Sequence, residues 1–211
     1  MQSGRSWRRA TELGLLPLAF TLAVGCGGRF QEGRVDAGFT VRDCPPGDDN
    51  DGLADFGFEP GFIGATRFND DLTIQLLEYR GLVEETDGLS IQVRLADLVE
   101  AGRLVEDEAT DQYRLFGGPL SLPVALDGLN ARASLSMFQT CPDFPTVHAV
   151  SGTLTFDRLQ VSVDPRDLGR DERLTGTLTA SVSRGAPLEP VGWVTAAFDF
   201  EVPRRPLLSV R

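Results

Sequence analysis

VHAVSGTLTFDRLQVSV at 147–163, LTGTLTASVS at 174–183 and GWVTAAFDFEV at 192–202 decide the fold class. Apolar residues fall on alternate positions in all three runs. Side chains of an extended chain alternate between two faces, so each run predicts a strand with one buried face and one wet face. In the second run Leu174, Gly176, Leu178, Ala180 and Val182 share a face, and Thr175, Thr177, Thr179 and Ser181 share the other. In the third, Val194, Ala196, Phe198, Phe200 and Val202 hold their parity throughout. The first run breaks parity. Val150, Gly152, Leu154 and Phe156 are followed by Leu159, Val161 and Val163. One extra residue near Asp157-Arg158, a β-bulge, reconciles the two halves.

Working outward, the same alternation recurs. LTIQLLEY at 72–79, LSIQVRL at 89–95 and NARASLSMFQT at 130–140 predict strands, and LSLPVAL at 120–126 predicts an edge strand or a bulge, since Pro123 removes a ladder donor. Shorter extended pieces are expected at Ala37–Arg42, Phe62–Phe68 and Asp111–Phe116. ADLVEAGR at 96–103 has the best helical spacing after residue 26, at barely two turns. Many short strands separated by turn residues predict an all-β fold, an antiparallel β-sandwich first and a barrel second. The expected folded domain is 61–211. Residues 27–36 read as a tether and Cys44–Pro60 as a Pro/Gly/Asp loop, which gives a segment 26–60 ahead of the domain.

Composition narrows the partners. The chain has 211 residues, 41% of them hydrophobic, and a net charge of -11. That is enough apolar content for a core, and a charge that repels phosphate backbones, so nucleic acid is not an expected partner. Lysine is absent, so no lysine nucleophile exists, and there is no G-x-S-x-G, P-loop or H-E-x-x-H motif. The single histidine, His148, has no second histidine to share a metal with and reads as structural. No enzyme is expected. A hydrolase working through two facing carboxylates is the remaining catalytic alternative.

Residues 1–26 have their own pattern. Arg5, Arg8 and Arg9 precede an apolar run, Leu13–Val24, that ends at Gly25-Cys26. About a dozen apolar residues are too few to span a bilayer core of about 30 Å and match a cleaved secretory signal at 1–25. Leu22-Ala23-Val24-Gly25-Cys26 resembles the lipobox of bacterial lipoproteins, with Ala23 where that family prefers Leu. The FQTCPD turn, the SGTLTF strand and the terminal FDFEVP resemble the uncharacterised small β-rich lipoproteins of Gram-negative bacteria. The resemblance implies lipidation at Cys26. It also implies an outer-membrane destination, because Gly27 stands where inner-membrane retention uses Asp. The implied function is an exported, lipid-anchored, non-catalytic module that meets an unidentified envelope protein. A glycan- or small-ligand-binding module, using an exposed Trp193 or Tyr79, is the alternative.

An oxidising compartment makes the remaining cysteines, Cys44 and Cys141, a disulfide candidate, with two buried thiols as the alternative. Asp48-Asp49-Asn50-Asp51-Gly52-Leu53-Ala54-Asp55 resembles calcium loops of the D-x-D-x-D-G type. Aligned on Gly52, the ligands would be Asp49, Asp51 and Asp55. Gly47 replaces the first ligand and Phe58 stands where a bidentate Glu belongs, so a solvated acidic linker is the preferred reading and no cofactor is expected. The cluster Glu106-Asp107-Glu108 with Asp111 reads as a solvated loop.

Overall fold

The computed structural model describes residues 32–42, 53–58, 60–68, 70–78, 86–128, 131–142, 145–164, 172–185 and 188–202. In chain order the strands are β1 (Glu32–Arg42), β2 (Leu53–Phe58), β3 (Phe62–Phe68), β4 (Asp71–Leu77) and β5 (Gly88–Arg94). A short helix, α1 (Leu95–Glu100), follows. Then come β6 (Leu104–Asp107), β7 (Gln112–Leu115), β8 (Leu120–Val124), β9 (Ala131–Ser136), β10 (Thr146–Ser162), β11 (Glu172–Ser183) and β12 (Gly192–Val202). The all-β expectation holds: two of the three runs that announced it, β10 and β11, are the longest strands, and the third, β12, matches β1 in length.

All twelve strands belong to one sheet, whose main path is β2-β1-β12-β11-β10-β8-β9-β5-β4-β3. The architecture is therefore nearer the barrel than the sandwich of two separate sheets. Chain connectivity shows why the sheet must curl. Laid flat, ten strands spaced by about 4.8 Å would hold the two edges about 43 Å apart. Yet the edge strands β2 and β3 are neighbours in sequence, and the four Cα steps from Phe58 to Phe62 reach at most about 15 Å. The sheet closes on itself, nearly completely, and β3 approaches β12 across the seam.

The bend is concentrated in β10. One edge pairs with β11 along most of its length. The other edge pairs in turn with β9 (Thr146–His148), β8 (Gly152–Phe156) and β7 (Gln160–Ser162). Registers shift at two places on β10. Phe156 faces Gly176 while Arg158 faces Thr175, which leaves Asp157 as the extra residue where the parity break puts it. A second extra residue, Val150, lies between the pairs Ala149–Val182 and Ser151–Ser181. Val150 is accordingly only half-buried and does not share the core face of Gly152, Leu154 and Phe156. Each bulge adds local twist, which lets one long strand serve three neighbours.

The concave face holds the core: Leu154, Phe156, Leu174, Leu178, Val194, Ala196, Phe198 and Phe200 from β10–β12, packed with Leu72, Ile74, Leu89, Ile91 and Leu135 from the far side. Phe156 and Phe198 meet edge to face, with centroids 6.0 Å apart. Gly176 makes that contact fit, because a Cβ there would lie 3.0 Å from the Phe198 ring and 2.3 Å from the Thr155 carbonyl oxygen. The outer face carries Thr177, Thr179 and Thr195 in water, as the alternation requires.

Arg67 on β3 closes the far end. Its Nη1 donates to the Ser162 carbonyl and, at 3.3 Å, to the Val163 carbonyl at the end of β10, and its guanidinium lies 6.0 Å from the Tyr113 ring centroid. Beside it Gln160 Nε2 donates to Gln112 Oε1 at 2.7 Å, and the Ser162 N–H donates to Glu172 Oε1 at 3.2 Å. These charge-assisted and buried polar bonds tie the last strand of the path to its middle.

Four expectations change. Glu32–Asp36, read as tether, begins β1, which pairs with β12 from Glu32–Glu201 to Val41–Gly192. Leu53–Phe58, read as loop, is β2, paired with β1. The sheet thus begins at Glu32, not at residue 61. The acidic cluster at 106–111 is the turn of the β6–β7 hairpin: Asp107 accepts the Thr110 and Asp111 N–H groups through its carbonyl and pairs with Arg114 at 3.2 Å. Pro123 behaves as expected. It is exposed on β8, whose second edge meets β9 only at Val124–Ala131.

Candidate functional site

The residues singled out from the sequence fall in three places. Cys26, Cys44, Asp49, Asp51 and Tyr79 lie outside the described residues. Asp55 lies on β2, opposite Thr40, in extended backbone. Cys141, His148 and Trp193 are on the folded body. Among the described residues, no group of three or more His, Cys, Asp and Glu side chains is placed to hold a metal ion.

Cys141 is fully buried at the end of the turn that follows β9. Its N–H donates to the Met137 carbonyl at 2.8 Å, and the Met137 N–H donates to the Pro145 carbonyl at 2.8 Å. The turn is latched from the other side by Asp87, a carboxylate only 1% exposed. Asp87 Oδ1 accepts the Gln139 N–H at 2.7 Å; Oδ2 accepts the Thr140 N–H at 3.0 Å and the Thr140 hydroxyl. Asp87 is one of three acids within residues 84–87, and nothing in the residue types marks it as a buried latch.

His148 lines a concavity of about 290 Å³ on the outer face of the sheet, together with Ser90, Gln92, Leu126, Arg132 and Ser134. Register places these side chains. Ser90 on β5 faces Ser134 on β9, and Ser134 faces His148 on β10, so three polar groups stand in one row across three strands. Gln92 faces Arg132 one step along the same face. Side chains directly opposite on neighbouring strands have Cβ atoms about 4.5–5.5 Å apart, so the row spans about 10 Å. Arg132 Nε donates to the Gly128 carbonyl at 3.1 Å, which fixes the guanidinium at the wall. Leu126, at the mouth, is 39% exposed.

Trp193 is 49% exposed on the same outer face, two strands from His148, and does not line the concavity. Of the sequence candidates, the structure gathers only His148 into a site. Its companions come from positions 14 to 58 residues earlier, a distance at which alternation gives the face but not the neighbour. No protein-family model matches the chain, and neither the curated proteins nor the solved structures contain a match.

Proposed function

We propose that this chain is an exported lipoprotein, held at the outer membrane by lipid on Cys26, whose barrel-like domain is a non-catalytic module facing the periplasm or the cell surface. The observation that carries the reading is the order of residues 5–26: three arginines, a short apolar run, then Gly25-Cys26. The likeness to small β-rich lipoproteins of Gram-negative bacteria belongs to the same reading. Removing 1–25 takes away three arginines and one glutamate, so the mature chain is more acidic still and gains nothing from an anionic membrane surface. The lipid therefore does the holding, at about 0.8 kcal/mol per buried CH₂. Cells grown with labelled palmitate should label the wild-type chain and leave Cys26→Ala unlabelled and released from the membrane fraction. Labelling that survives the substitution removes the anchor.

We infer in addition a Cys44–Cys141 disulfide. Its support is the buried, latched position of Cys141 and the oxidising compartment that export implies. Such a bond would pin the acidic segment ahead of β2 to the turn after β9. Mass spectrometry of an unreduced digest should find the two cysteine peptides joined; free thiols at both positions would refute the pairing.

An anchor at Cys26 orients the barrel. Glu32, Glu201, Arg173 and Gln160 align by register at one end, and Val41, Gly192, Val182 and Ala149 at the other. Nine residue steps of β1 separate these ends by about 30 Å. His148 sits beside Ala149 and opposite Ser183, so the concavity belongs to the end of the barrel opposite Glu32. That placement favours the second reading, a small-ligand-binding module, which the outer-face concavity raises by its own chemistry.

A further inference from the structure

We propose that the concavity between β5, β9 and β10 is a binding site for the anionic oxygen group of a small, ring-sized ligand, a carboxylated or phosphorylated sugar. Four observations converge on it.

The first is charge. The chain carries 31 acidic residues against 20 arginines, yet the lining of this concavity contains Arg132 and the only histidine and no Asp or Glu. A net charge of -11 disfavours anions at long range, but solvent salt screens that field beyond about 8 Å. Within that distance the local groups decide.

The second is donor geometry. Arg132 is already oriented by its Nε bond to the Gly128 carbonyl, which leaves the Nη edge to form the paired bonds that a carboxylate or phosphate accepts. The Ser90 and Ser134 hydroxyls, the Gln92 amide and the His148 ring stand in the same concavity. Among the described residues none of these four side chains forms a hydrogen bond with another side chain or with the backbone. They are donors and acceptors placed side by side without internal partners, as a site that hydrogen-bonds hydroxyls requires.

The third is size. About 290 Å³ lies at the lower end of the range for small-molecule sites, roughly 300–1,000 Å³. One ring fits; a chain of several does not. The row Ser90–Ser134–His148, about 10 Å long, matches a single ring with its substituents. The fourth is Leu126, an exposed apolar side chain at the mouth, which offers a surface to the ring's C–H face.

The test uses the chain's single histidine as its own reporter. The full chain in detergent micelles gives one imidazole Cε1–Hε1 correlation, followed by NMR while D-glucuronate, D-glucose 1-phosphate or neutral D-glucose is added at matched ionic strength. The reading expects a saturable shift in the millimolar range with at least one of the two anionic sugars, and none with glucose. A shift with glucuronate alone names a carboxylate ligand, and a shift with the phosphate alone names a phosphoryl ligand. Arg132→Gln should weaken the response about tenfold or more while the ligand-free spectrum stays folded. An equal response to glucose, no saturable response to any of the three, or unchanged binding by Arg132→Gln overturns the proposal. Micelles hold the chain whether or not Cys26 is lipidated, so this outcome is separate from that of the palmitate experiment.

Discussion

Phe156→Ala should lower the unfolding free energy by about 3–5 kcal/mol, the usual cost of emptying a buried aromatic site. Phe156 has no exposed surface and is among the largest fully buried side chains. Its ring meets Phe198 edge to face, a contact that contributes roughly 0.5–1.5 kcal/mol beyond buried area. Phe198 in turn lies 6.1 Å from Phe200, so the cavity would open under a run of rings that continues along β12. The site cannot collapse easily, because Phe156 sits on β10 between its pairing with β8 on one side and β11 on the other. Both ladders hold the backbone where it is. Urea unfolding should show a lower midpoint at nearly unchanged slope. Phe156→Leu should recover part of the loss, and Thr177→Ala, on the wet face of β11, should stay within about 0.5 kcal/mol of wild type. If Phe156→Ala and Thr177→Ala cost the same, the inner face of β10 is not the core.

That core was readable because a strand's period of two is strict. The core-parity positions of β11 and β12, Leu174 to Val182 and Val194 to Phe200, are all buried as their parity requires. The same strictness exposed the bulge at Asp157, where two polar residues separate the two parities. It hid the bulge at Val150. There the apolar pattern runs Val147, Ala149, Val150, Gly152, and an apolar residue on each parity leaves no break to see. The first half of β1 and all of β2 were hidden for a different reason. Val35, Ala37, Phe39 and Val41 do alternate, but glycines and aspartates among and after them carry turn signals. Their strand character comes from pairing, β1 with β12 and β2 with β1, and so from the rest of the fold. Whether the strands made one sheet or two was also beyond the pattern. Alternation states which face a side chain takes and says nothing about which strand lies beside it. The concavity at His148 is a case of the same limit, since Ser90 and Ser134 become its neighbours only through register.

Asp87→Ala should cost about 3 kcal/mol and should loosen one turn before it unfolds the domain. The carboxylate is buried with no cation among its partners in the described residues, so its desolvation is offset by hydrogen bonds: two backbone N–H groups and one hydroxyl. Bonds to a charged acceptor contribute about 1.5–3 kcal/mol each, and part of their sum returns when the charge itself is no longer buried. Asp87→Asn tests the geometry of this offset. It keeps the shape and one acceptor oxygen, but its NH₂ then faces a donor that the second carboxylate oxygen had accepted. It should therefore behave much more like Ala than like Asp. The local signature is amide exchange. Gln139 and Thr140 should exchange faster in both variants, while amides in the β10–β11 ladder should slow or quicken only with global stability. The turn so loosened is the one that ends in Cys141, whose N–H is held by Met137. Reduction of the inferred Cys44–Cys141 bond should then proceed faster in Asp87→Ala than in wild type under native conditions. Unchanged exchange at Gln139 and Thr140 would mean that the turn is held by its own backbone bonds, and that Asp87 is buried beside it without latching it.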